Sequence, residues 1–292
     1  MKRRLVLYGI IAGAGAVYVL GACGALIIFL LDKGLPVLGR PLFFGDTPAY
    51  EAIMGLRPVW DGIWPAFAGT FCLVALTMLM AALPGIGCGI YLARFARGRA
   101  KENLSLAIDL LASVPSIVMG LFGFVLILAL RHTFAPEATT SISIAAFCLA
   151  LLVMPALVVA TRSSLESLPP MLELTGASLG FSENQILHRL LLPAAARGIL
   201  GGIILSMGRA AEDTAVIMLT GVVVNSGLPA GLAAKFEALP FLIYYTAAQY
   251  ADESELLRGF GASLVLLLLS AFLMGIAWLC QRGMERRWKG IY

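Results

Sequence analysis

The sequence predicts an all-α, polytopic membrane protein with six transmembrane helices. Three observations carry this. Of its 292 residues, 60% are hydrophobic and only 13% charged, whereas a soluble domain carries about 25% charged residues. The mean hydropathy is +0.92. A spanning helix needs about 20 mostly apolar residues, and runs of that kind fall at roughly 5–31, 66–93, 105–130, 141–161, 198–224 and 260–280. The net charge of +4 does not point to nucleic acid, because the basic residues sit at the ends of apolar runs and form no patch.

The first run follows MKRR and is 27 residues long. A signal peptide has an apolar core of roughly 7–15 residues, so the run predicts a retained span. The outside loop after it, 32–65, is rich in Gly, Pro and aromatics. Pro84, Pro115 with Gly120, and Pro155 predict softened or broken helices in the second, third and fourth runs. Asp109 is placed within two turns of the inner end of the third run, where water reaches it. The last outside loop, about 225–259, contains LPFLIYYTAAQY, which predicts a short re-entrant or interfacial helix.

Orientation follows from Lys and Arg. With the N-terminus inside, the inside segments hold 14 of them and the outside segments 6, leaving only Arg209 within a span. Both termini are therefore expected in the cytoplasm. The inside loop 162–197 reads as a helix at 172–179, a turn at Gly180, a capping Ser182 with Glu183 beside it, a second helix at 184–191 and a stop at Pro193. It is a candidate docking element.

The stretch SMGRAAEDTAV (206–216) places Arg209, Glu212 and Asp213 in an otherwise uncharged run. Continuous helix would set Arg209 and Asp213 at i, i+4, and Arg209 and Glu212 at i, i+3, with both carboxylates flanking the guanidinium. A charge at bilayer depth costs at least about 2.5–3.5 kcal/mol, so these groups face protein or water. Arginine's planar fork suits an oxyanion. The open alternatives are a polar lining for a solute path and an ion pair that only fastens helices. The five cysteines all lie in apolar runs without a CxxC pair, and the two histidines stand apart, so neither a disulfide framework nor a metal site is expected.

Four stretches together resemble the permease subunits of bacterial ABC importers, and among them the phosphate-specific (Pst) type, PstA-like more than PstC-like. They are residues 62–96, SVPSIVMGLFGF (113–124), GASLGFSENQILHRLLLPAAARGILGG (176–202) and GRAAEDTA (208–215). The resemblance implies an ABC type I importer permease-like bundle. Residues 1–57 would form an N-terminal transmembrane helix and periplasmic loop, and 58–292 the permease core with its cytoplasmic coupling loop at about 162–197. It implies a coupling loop carried by Glu173, Leu174, Gly176, Gly180, Leu190, Leu192 and Pro193, and an anion path at Arg209 and Asp213, with Glu212 beside them. Two positions depart from the family pattern: Leu174 stands where the family's coupling glutamate falls, with Glu173 one place early, and Glu212 replaces a glycine. The implied partners are a second, PstC-like permease subunit, two PstB-like ATPase subunits and a periplasmic PstS-like phosphate-binding protein, all working at the lipid bilayer. No Gly-x-x-x-x-Gly-Lys-[Ser/Thr] loop occurs, so ATP is used by the partners and the chain is expected to bind no cofactor and to be no enzyme. Another oxyanion as cargo, a non-transporting membrane scaffold or signalling subunit, and a stand-alone channel or secondary transporter remain the alternatives.

Overall fold

The computed structural model describes residues 2–133 and 135–289. The side chains of Lys2, Arg3, Arg4, Arg286, Arg287 and Lys289, which enter the charge asymmetry, lie outside the described residues, as does that of Cys280.

Helix α1 (Lys2–Gly34) leads into two short helices, α2 (Arg40–Phe44) and α3 (Ala49–Ile53), which occupy the loop after it. Then follow α4 (Trp64–Arg94), α5 (Gly98–Ser113), α6 (Ser116–Thr133) and α7 (Ile142–Glu166). The next loop carries α8 (Met171–Ser178) and α9 (Glu183–Ile186), and a π-helical turn, Leu187–Leu191, joins them to α10 (Leu192–Glu212). Helices α11 (Ala215–Thr220), α12 (Leu239–Gln249) and α13 (Glu253–Lys289) complete the chain. Among the described residues six helical stretches are long and apolar enough to cross a membrane, as expected. The LPFLIYYTAAQY stretch is α12, with Leu239, Pro240 and Thr246 buried against the bundle.

The core lies around α7, the most buried span. Its Leu149, Val153, Leu157 and Val158 are sealed between neighbours. Small residues let those neighbours close in. A Cβ at Gly202 of α10 would lie 2.4 Å from the Ala160 Cβ, and one at Gly198 would lie 2.0 Å from the Ser164 hydroxyl. This register is antiparallel, so Arg209, seven residues past Gly202, lies level with Val153 at the middle of α7. Helix α5 also runs antiparallel to α7: Lys101 pairs with Glu166 (3.0 Å), and Arg162 donates to the Ser105 hydroxyl (3.1 Å). The end of α5 therefore reaches the same mid-membrane level. In contrast, α1 touches the bundle near its outer end, where Phe29 meets Phe260 edge-on at 5.4 Å.

The expected spans need correcting in three places. The third run breaks at Val114–Pro115, as Pro115 predicts, but its first helix, α5, starts earlier, at Gly98. Asp109 therefore lies about 12 Å deeper than Lys101, at 1.5 Å per residue, and is exposed on α5. The fifth run is also two helices, α10 and α11, broken at Asp213. Pro84 and Pro155 do not break α4 and α7. One missing N–H is tolerated inside a long helix whose neighbours hold it in place.

The loop 221–238 folds back over the start of α7: Ile142 N–H donates to the Ala234 carbonyl (3.1 Å) and Ser143 N–H to that of Leu232 (3.1 Å). Glu237 is buried inside this loop and accepts from the N–H groups of Gly227 (2.8 Å) and Ser226. Burial pushes its carboxyl above the ordinary value of 4.5, against the pull of those two donors. The stability it contributes is thus fully present below pH 4.5 and declines as pH rises through the raised value. Glu237→Gln keeps the acceptor oxygen and removes the charge. Thermal unfolding in detergent should show it at least as stable as wild type at pH 8, with the decline above pH 5 flattened. Glu237→Ala strands both N–H groups and should cost about 1–3 kcal/mol.

Candidate functional site

Two spans are broken at one depth. Val114 is extended (ψ 122°), the conformation a following proline favours, and Ser116 opens α6. Asp213 is likewise extended (ψ 119°) after the last turn of α10. Its carboxylate turns onto the next helix, where Oδ1 accepts the Val216 N–H at 2.9 Å and the carboxylate also takes the Ala215 N–H. The Ser116 hydroxyl donates to the same carboxylate. One acid therefore caps α11 and stitches it to the start of α6. Irregular backbone at membrane depth requires such partners, because lipid supplies none.

This corrects the expected pairing. Asp213 is not one turn above Arg209 on a continuous helix, because the helix ends between them. Among the described residues the two form no ion pair, although Arg209 lies close enough to act on Asp213 electrostatically. Arg209 is instead exposed, as are Leu205 one turn before it and Glu212 after it. The three form a single outward stripe along α10 at mid-membrane. Lipid is excluded as their neighbour by the cost of the charge, so the stripe meets water or another protein. Ser116 was missed from sequence. Its signal was present in two halves, an X-Pro-Ser break at 114–116 and an Asp two residues before an apolar helical run at 215–220.

The second site is the elbow between α7 and α10. In the α10–α7 register, Leu192 lies about four residues past the end of α7, so α8 and α9 project beyond the bilayer. Gly180 turns the chain in the left-handed region (φ +77°). Ser182 then caps α9: its hydroxyl accepts the Gln185 N–H (3.4 Å) while Gln185 Oε1 takes the Ser182 N–H (3.0 Å). The reciprocal partner is Gln185 and not the adjacent Glu183. Gly176 is buried, and a Cβ there would lie 2.8 Å from Leu190 Cδ1. Leu190 and Leu192 are half-buried. Pro193 does not stop a helix but sits in the first turn of α10, where its missing N–H costs nothing.

The two departures from the family pattern have clear places. Glu173 turns inward and pairs with Arg94 at the end of α4, tying α8 to the bundle. Leu174 faces out with Met171 and Leu179, at 61%, 67% and 67% exposure. Exposed apolar residues on a rigid elbow outside the bilayer mark a protein contact. Among the described residues no group of His, Cys, Asp or Glu is placed to hold a metal, and Cys23, Cys72, Cys88 and Cys148 are free.

Residues 85–289 match the family described as the binding-protein-dependent transport system inner membrane component. The chain is 32% identical over 246 residues to the phosphate transport system permease protein PstA of Haemophilus influenzae, covering 84% of this chain and 82% of that protein. It is 26% identical to a probable phosphate transport system permease protein PstA of Methanocaldococcus jannaschii, covering 84% and 82%. Among solved structures, the inward-facing MetNI methionine ABC transporter aligns with a TM-score of 0.59 at 15% identity, over 85% of this chain and 99% of that one. A bacterial ABC transporter that imports the polysaccharide alginate aligns at 0.54 and 13% identity, over 92% and 96%. These likenesses establish the bundle's architecture. Six apolar spans, a structured elbow outside the bilayer and no ATP-binding motif agree with the family match, and the chain belongs to the binding-protein-dependent transport system inner membrane components, the multi-pass permease subunits of ABC importers whose ATP is hydrolysed by partner subunits.

Proposed function

We propose that this chain is a permease subunit that carries inorganic phosphate into the cytoplasm. It works with a second, PstC-like permease chain, two PstB-like ATPase subunits and a PstS-like periplasmic binding protein, and both of its termini lie in the cytoplasm. The observation that carries the reading is Arg209, exposed at mid-membrane on the level where two spans break. Asp213 is committed to capping α11 and to Ser116, so the guanidinium keeps donors for an anion. Its planar fork matches two oxygens of a phosphate. The names of the relatives support phosphate as cargo. The division near residue 57 accords with α1, which joins the bundle near one end only.

Mechanistically, the exposed face of α10 meets the second permease chain across the anion path. Asp109, exposed within the bilayer on α5, must also meet protein or water. The broken spans α5–α6 and α10–α11 supply two short inner and two short outer segments that shift about the Asp213–Ser116 contact. Movement of α8, gripped by an ATPase subunit through Met171, Leu174 and Leu179, is passed to α4 by the Glu173–Arg94 pair and to α10 through the π turn.

The cargo is tested by uptake of labelled phosphate in cells whose only phosphate importer is the complete system. Uptake is expected, with unlabelled phosphate competing and sulfate or methionine in tenfold excess leaving it unchanged. No uptake of labelled phosphate, with uptake of another labelled oxyanion by the same system, would replace the cargo and leave the permease assignment standing.

A further inference from the structure

We propose that the corner between α4 and α5 binds the anionic headgroups of phospholipids in the leaflet on the α8 side. Four basic residues crowd this corner: Arg94, Arg97, Arg99 and Lys101. Two are engaged, Arg94 with Glu173 and Lys101 with Glu166. The other two, Arg97 and Arg99, are exposed and make no ion pair among the described residues.

Depth selects the ligand. Lys101 is level with Glu166, thirteen residues from Val153 at the centre of α7, which is about 20 Å at 1.5 Å per residue. The hydrocarbon core extends about 15 Å from the midplane and the headgroups to about 20–22 Å. Lys101 is therefore at headgroup level. Arg99 and Arg97, two and four residues farther out by the same register, lie at about 22–26 Å, at the outer edge of the headgroups, and their long side chains can reach back into that layer. Tyr91 and Phe95, one helical turn apart, are exposed just inside the corner, where aromatic rings favour the interface. Leu106 and Leu110 are exposed deeper along α5, so acyl chains have an apolar surface below the arginines. Gly98 makes the turn in the left-handed region (φ +53°). The first turn of α5 contains no acid and no side-chain cap, which leaves its N–H groups to an anion beside the two guanidiniums. Glu102 is exposed a full turn into the helix, and the exposed Glu166 is engaged by Lys101 and Arg162.

The inference does not rest on the cargo, and its test reads lipid. The complete complex is purified in mild detergent and its retained phospholipids are quantified against the source membrane. Wild type should retain phosphatidylglycerol or cardiolipin in excess over phosphatidylethanolamine. The double variant Arg97→Gln, Arg99→Gln should lose that excess, by up to about fivefold per arginine removed, and the Lys pair should keep much of it. In parallel, a photoreactive phosphatidylglycerol in the wild-type complex should label residues 91–110, and a photoreactive phosphatidylcholine should not. No anionic excess in wild type, or an excess unchanged in the Gln pair, overturns the proposal. Loss of ATPase subunits from the Gln pair with lipid unchanged also overturns it and assigns the corner to the ATPase.

Discussion

Arg209→Gln should reduce labelled phosphate uptake by about 10- to 100-fold, the worth of a charge-assisted hydrogen bond of about 1.5–3 kcal/mol made inside a membrane path, with the complex assembled at normal levels. The side chain is exposed in the isolated chain and fills no internal space, so its removal leaves α10 packed on α7 and α13. Arg209→Lys keeps the charge and loses the planar fork, and should fall between the two. Asp213 behaves differently. Asp213→Asn keeps an acceptor for the Val216 N–H and should leave assembly intact. Asp213→Ala removes the cap, about 1 kcal/mol in water and more where no solvent replaces it, and should lower the amount of complex in the membrane. A purely structural Arg209–Asp213 pair would give the two residues the same assembly phenotype, so this contrast separates the readings.

Leu174→Asp should uncouple transport. The residue is 61% exposed and lies on the same outward side of the elbow as Met171 and Leu179. Burying such side chains against a partner contributes about 1.5–3 kcal/mol each, and a carboxylate in their place must be desolvated without a partner. Co-purification of ATPase subunits should drop at least about tenfold, with uptake lost and the detergent-solubilised permease unfolding at the wild-type temperature. Glu173→Gln is the control on the opposite side of α8. It breaks a half-exposed ion pair to Arg94, worth about 0–1 kcal/mol. It should leave the ATPases bound and lower the transport obtained per ATP hydrolysed.

The spans were legible because the apolar runs have bilayer length and the charges between them are asymmetric. Loop 162–197 was legible because Gly180 and Ser182 punctuate it. The break at Asp213 was only faintly so: the apolar pattern of AVIMLT continues past it, and an aspartate two residues before that pattern is the one local mark of its cap on the Val216 N–H. Its further partner, Ser116, lies 97 positions away, and a contact at that separation leaves no mark in a local window. The opposite error arose at Pro84 and Pro155, where a strong local breaker is overridden by close packing of α4 against α7. Arg209 was legible as the one basic residue within a span, but its surroundings follow from the break after Glu212 and differ from those of an ideal continuous helix.

The central claim is that the Leu205–Arg209–Glu212 face borders an aqueous anion path, and one measurement addresses it directly. Leu205→Cys, introduced into a chain whose five cysteines are replaced by serine or alanine, leaves Arg209 in place one turn away. In proteoliposomes holding the complete complex, binding protein and ATP, a membrane-impermeant anionic thiosulfonate should modify this cysteine, and millimolar phosphate should slow the modification several-fold. Modification only by a lipid-soluble maleimide, at a rate indifferent to phosphate, would place the face against lipid or a sealed interface and contradict the account.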